Sequence, residues 1–168
     1  TFDKIIAVDV ADKKLLGEEF EAKYGDNVFL CIDHHLSNRE YSQNLLLEDR
    51  AAAAVVIYEV ICQLGVEVTP EIANCVYTGL ATDTGCFMYE NAKYRTHVAA
   101  ANLIKNGVNA AKINRDMFIV KTKGRILAET ELMGDLKFFE NDTIAVMVVK
   151  NELIERVNLD RAELDGIA

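Results

Sequence analysis

The chain has 168 residues, 51% of them hydrophobic and 27% charged, with one Pro and nine Gly, a composition that excludes disordered and collagen-like architectures and suits one globular domain, or one domain with part of a second. Its 18 Lys and Arg against 27 Asp and Glu leave a net charge of −9, so the chain as a whole repels nucleic acid and acidic membranes. No apolar run approaches the ~18–20 residues that span a bilayer, and Cys31, Cys62, Cys75 and Cys86 form no C-x-x-C pair, which reads as buried thiols in a reducing cytoplasm.

Two β-branched runs, Lys4 to Val8 and Asn27 to Ile32, end at Asp9 and Asp33 and read as strands. Between them Asp12 is placed to cap a helix over 13–24, with Gly25 to stop it, giving a β-α-β unit with parallel strands. After a polar loop, residues 51–64 read as a helix with Asp49 as cap and Gly65 as terminator. Thr69-Pro70-Glu71 marks the next N-terminus, and Ile72, Val76 and Leu80 recur at helical spacing, predicting a helix to about Ala81 with Thr82 to Gly85 in a loop. Thr96 is placed to cap a helix to Ile104, stopped by Asn106-Gly107, and residues 110–133 read as one helix or two broken near Thr122 to Gly124. Residues 136–139 and 143–149 then read as a hairpin, followed by a short helix around 152–157. The expected fold is therefore α/β, a parallel sheet flanked by helices, followed by the start of a second α/β module.

In an open α/β sheet, functional groups collect beyond the carboxyl ends of the strands. Asp9 stands at one such end and Asp33-His34-His35 at the next, and Asp83 lies on the loop that follows a helix. Carboxylates and imidazoles in this combination suit Mn²⁺, Mg²⁺ or another hard-to-borderline divalent ion rather than a thiolate zinc site. Aspartates at strand ends also serve as caps and turn residues. Two of the three histidines, however, are consecutive at the end of a buried apolar strand, where packing has little use for them.

Ile32-Asp33-His34-His35, the preceding Val8-Asp9-Val10-Ala11-Asp12 and the later Thr78 to Phe87 (TGLATDTGCF) occur in this order, and together they resemble the DHH phosphoesterase superfamily. Residues 96–107 look like that family's helix after the Thr-Asp-Thr-Gly loop. Within the superfamily the chain looks most like the branch of bifunctional oligoribonucleases and 3′-phosphoadenosine-5′-phosphate phosphatases, the nanoRNases. The resemblance implies a DHH catalytic domain over 1–109, a helical connector over 110–134 and, over 135–168, the beginning of a DHHA1-type substrate-binding domain. It implies two Mn²⁺ ions in the complete enzyme, with Mg²⁺ or Co²⁺ as substitutes. Asp9 matches the bridging carboxylate, His34 and Asp83 match ligands of one ion, His35 matches the group on the substrate phosphate, and Asp33 would orient an imidazole. Short RNA or a nucleotide is the implied substrate, with no membrane partner and a homodimer as the expected assembly.

The family's Asp-x-Asp element with a nearby His does not occur before Asp9 or elsewhere in the chain, and the C-terminal Gly-rich, His-containing motif is also absent. The chain is therefore expected to be an internal piece of a longer enzyme and, by itself, weakly active or inactive. Cyclic-dinucleotide phosphodiesterases, single-strand exonucleases and inorganic pyrophosphatases of the same superfamily are the alternative activities, and a nucleotide- or metal-binding module without catalysis is the alternative class. Arg95, just before a helix N-terminus, is a candidate substrate contact. Lys112, Arg115, Lys121, Lys123 and Arg125 either guide an RNA backbone or form a solvated helical face. His97 reads as a surface helical residue. Ala51 to Ala54 occupy a stretch where relatives often carry serines.

Overall fold

In the computed structural model, which describes residues 2–164 and 166–167, the first apolar run becomes β1 (Ile5–Val8). The helix expected over 13–24 is divided by Gly17, whose φ of +82° ends a 3₁₀ turn over Lys13–Leu16 before α1 (Glu18–Tyr24) begins. Asp12 does cap the first piece, accepting from the Lys14 N–H. The second run forms β2 (Val28–Asp33), and β3 (Gln43–Leu46) lies in what reads as a polar loop. The three strands pair in parallel in the order β1-β2-β3, so β2 has neighbours on both edges.

Four helices follow: α2 (Ala53–Gln63), α3 (Pro70–Asp83), α4 (Tyr94–Lys105) and α5 (Ala110–Phe118). Thr69 caps α3 as its sequence requires, accepting from the Ile72 N–H with Pro70 at the first helical position. The expected caps of the neighbouring helices are not used. Asp49 pairs with Arg50 instead of capping α2, and α4 starts two residues ahead of Thr96, whose hydroxyl donates to the Asn91 carbonyl. Ala52, Val55, Ala73, Val76, Leu80, Ala100 and Leu103 form the main core between α2, α3 and α4. Gly79 is required there, because a Cβ on it would stand 2.9 Å from the Ala54 Cβ.

The chain divides into two compact units, Thr1–Phe118 and Ile119–Ala168. The stretch expected as a connector is split by this division: Ile113 and Phe118 of α5 pack on the first unit's core, while α6 (Lys123–Gly134), with Thr122 as its cap, belongs to the second. The second unit continues with the antiparallel hairpin β4 (Lys137–Phe139) and β5 (Ile144–Val146), then α7 (Asn151–Val157). Ala128 of α6 and Ile154 of α7 share its small core. Among the described residues no helix is long and apolar enough to cross a membrane. The thiols are not uniformly buried: Cys31 is, but Cys62 and Cys75 are exposed, because they fall on the outer faces of α2 and α3.

Candidate metal centre

The carboxyl ends of β1 and β2 lie side by side. Asp9 follows β1 with φ of +61°, uncommon for a residue with a Cβ, and its N–H donates to the Ile32 carbonyl at 2.9 Å. This backbone turn, disfavoured for any residue but Gly, Asn or Asp, places the Asp9 carboxylate beside the two histidines that end β2.

His34 stands at the focus of the site. Its Nδ1 lies 3.2 Å from the Arg50 carbonyl oxygen. A carbonyl only accepts, so in the neutral ring Nδ1 carries the proton and Nε2 presents a lone pair. That Nε2 is 3.5 Å from Asp9 Oδ1 and 3.6 Å from Asp83 Oδ2. The three side chains expected as metal ligands, from two strand ends and a helix end, thus converge. Asp83 is the last residue of α3 rather than a loop residue. The helix runs on past Ala81, and the hydroxyls of Thr82 and Thr84 bond back to carbonyls of the preceding turn. A carboxylate there faces the negative end of the helix dipole. Burial, then the neighbouring Asp9 charge, push the Asp83 carboxyl above its ordinary range, with both imidazoles acting the other way.

Asp33 is 1% exposed at its side chain. Its Oδ1 accepts from the His34 N–H at 2.8 Å, the His35 N–H at 3.3 Å and His35 Nδ1 at 2.8 Å, and its Oδ2 from Asn38 Nδ2 at 2.6 Å. Burial pushes its carboxyl up, but the bonds from Asn38, His35 and the backbone outweigh burial and hold it below the carboxylate range. Potential ligand atoms of Asp9, Asp33, His34 and His35 lie within 4.8 Å of one another, yet Asp33 is filled with donors and is built to orient. The bond to Asp33 raises the His35 pKa, burial opposes the rise, and the Asp33, Asp9 and Asp83 charges add to it. With Nδ1 held, His35 has Nε2 free.

Arg95 is not part of this cluster. It is exposed on the first turn of α4 and lines a neighbouring cleft with Arg50 and Lys93. His97 is likewise exposed and stacks on Phe87 at 5.4 Å. Four of the five basic residues between 112 and 125 are paired with acids: Lys112 and Arg115 with Asp116, and Lys121 and Arg125 with Glu129. Three structural contributors are silent in the sequence. Arg50 acts through its main-chain carbonyl, while its side chain is clamped by Glu59 and Asp49. Asn38 completes the Asp33 shell from a loop that shows only as polar sequence. Asn91 Nδ2 donates to the carbonyls of both Ala51, at 3.2 Å, and Asp83, at 3.0 Å, joining the segment behind His34 to the end of α3.

No family model matches the chain. A bifunctional oligoribonuclease and PAP phosphatase NrnA of Thermus thermophilus is 39% identical over 111 residues, 65% of this chain and 33% of that protein. The protein of the same name in Bacillus subtilis is 26% identical over 160 residues, covering 89% of this chain and 48% of that one. By these matches the chain is similar to the nanoRNases, a branch of the DHH phosphoesterase superfamily. It spans half or less of the length of these nanoRNase relatives. The crystal structure of an exopolyphosphatase-related protein from Bacteroides fragilis superposes with a TM-score of 0.88 at 20% identity, covering 98% of this chain and 50% of that one. This likeness establishes the fold, a parallel sheet flanked by helices.

Proposed function

We propose that the chain carries the metal-holding and phosphate-activating residues of a divalent-metal-dependent phosphoesterase, with Mn²⁺ as the ion and short oligoribonucleotides and 3′-phosphoadenosine-5′-phosphate as substrates. The observation that carries the reading is His34 Nε2, set between the carboxylates of Asp9 and Asp83 while Nδ1 faces the Arg50 carbonyl. The donor set suits the ion: two carboxylates and one imidazole match a borderline divalent cation, and three aspartates gathered round two imidazoles leave negative charge for it to neutralise. A divalent ion bound there supplies a nucleophile at neutral pH and neutralises phosphoryl oxygens.

The chain's own groups do the rest. Asp33 holds His35 through Nδ1 and favours its protonated form, so His35 Nε2 offers a charged hydrogen bond to a phosphoryl oxygen as negative charge builds. Arg50 and Asn91 fix His34 and Asp83 through main-chain carbonyls, so their positions need little adjustment when substrate arrives. The nanoRNase relatives support the substrate class. The domain assignment follows the same reading, with the first unit as the DHH part and the hairpin-bearing second unit as the start of a DHHA1-type part.

The test is Mn²⁺ binding by titration calorimetry, together with Mn²⁺-dependent release of mononucleotide from a short RNA and of phosphate from 3′-phosphoadenosine-5′-phosphate. Both are run on this chain and on the longer reading frame, each with and without His34→Ala. The reading expects Mn²⁺ binding that His34→Ala abolishes, hydrolysis by the longer protein and little by this chain. Mn²⁺ binding indifferent to His34→Ala, or a longer protein that binds Mn²⁺ and hydrolyses neither substrate, overturns it.

A further inference from the structure

A groove runs between the first turns of α2 and α4 beside the metal centre. One part is a cleft of about 300 Å³ walled by Asp49, Arg50, Lys93 and Arg95. A recess of about 160 Å³ shares the walls Val55, Tyr94 and Arg95 with it and adds Tyr58, Glu59 and Asn102. One residue ties the groove to the site: the Arg50 carbonyl holds His34, and Arg50 also lines the cleft.

The charges at the two ends differ. The Arg50 guanidinium is engaged by Glu59 and Asp49, which makes it a fixed wall rather than a free cation. Lys93 and Arg95 are exposed and make no ion pair among the described residues. Two free cations at one cleft are notable in a chain of net charge −9, and both helices start here without a side-chain cap. In the recess, Tyr94 is 81% exposed, a flat aromatic face left uncovered, and Asn102 offers both a donor and an acceptor. Cations for a phosphate followed by an aromatic face with an amide are the chemistry of one nucleotide.

We propose that this groove binds the nucleotide next to the phosphate held at the metal centre, with Lys93 and Arg95 on its phosphate and the Tyr94 and Tyr58 recess on its base. The cleft reaches the lower end of the ~300–1,000 Å³ range of small-molecule sites. The groove rests on the phosphoesterase reading for what lies at the centre, but its affinity does not depend on hydrolysis.

The experiment titrates the metal-free full chain with 5′-phosphorylated diadenylate and with AMP at several salt concentrations. It uses the wild type, Arg95→Ala, Tyr94→Ala and the distant Lys14→Ala, with circular dichroism to confirm folding. Both probes are expected to bind, each with one phosphate on Lys93 and Arg95 and one base in the recess. Arg95→Ala removes about tenfold from either affinity and flattens the salt dependence by ~0.7 in log–log slope, and Tyr94→Ala weakens both probes. Lys14→Ala and the Mn²⁺ affinity of every variant stay unchanged. No measurable binding of either probe, or affinities untouched by Arg95→Ala and Tyr94→Ala, overturns the groove. If the longer protein fails to hydrolyse RNA while Arg95→Ala still weakens diadenylate, the phosphoesterase reading falls and the groove stands.

Discussion

Asp33 is the most constrained side chain of the candidate site, since both its oxygens are occupied by donors and almost none of it meets solvent. Asp33→Asn keeps the shape but turns an NH₂ toward groups that themselves donate, leaving donors facing donors. Loss of charge-assisted bonds at a buried position costs about 1–3 kcal/mol. The variant is expected to unfold at lower urea with an unchanged slope, and to bind Mn²⁺ more weakly because the turn carrying His34 and His35 loosens. Wild-type stability and Mn²⁺ affinity in Asp33→Asn would show that the carboxylate does not organise the site. The side chains proposed to bear the chemistry, Asp9, His34, His35 and Asp83, are legible in the sequence, since carboxylates and imidazoles at the ends of apolar strands have few packing uses and Asp83 stands in the Thr-Asp-Thr-Gly motif. Arg50 and Asn91 are not, because their contacts run to or from main-chain carbonyls, and Asn91 meets Ala51 across 40 positions. No side-chain pattern encodes such a bond.

Local chemistry decides where some elements begin and tertiary pairing decides others. Thr69-Pro70 placed the start of α3 correctly because both its devices are local, a hydroxyl cap and a proline at a position that needs no N–H. β3 was hidden because it is four residues long and starts with Gln43-Asn44; its extended form comes from pairing with β2, which periodicity within the segment cannot report. Close helix packing sets a second limit on sequence reasoning. Gly79 lies inside α3, where Ala would gain ~1 kcal/mol of helix propensity. The added Cβ would also meet Ala54 at 2.9 Å, and overpacking of this kind typically costs ~1–3 kcal/mol. Packing therefore wins: Gly79→Ala is expected to lower the chemical-denaturation midpoint, and Gly79→Ala with Ala54→Gly to recover most of it. A stabilised single variant would mean that α2 and α3 can separate without cost.

At the scale of the whole chain, the net charge of −9 and the anionic substrate proposed for it are reconciled by the cluster at the carboxyl end of a small parallel sheet, where three aspartates would hold a cation that in turn attracts phosphate. All of these groups belong to the first unit, as do Lys93 and Arg95 of the neighbouring groove. Between Phe118 and the Thr122 cap of α6, residues 119–121 form no helix or strand, and Ile119 and Val120 are 71% and 61% exposed. A segment of this kind, with Lys121 in it, is open to trypsin, since exposed irregular backbone is the preferred site of nicking. Brief digestion is expected to cut first after Lys121 and to leave a product ending there that binds Mn²⁺ within twofold of the intact chain, as calorimetry on the purified fragment would report. If cutting instead begins at Arg95 or Lys105 of α4, or if the fragment loses Mn²⁺, the first unit does not hold the site by itself.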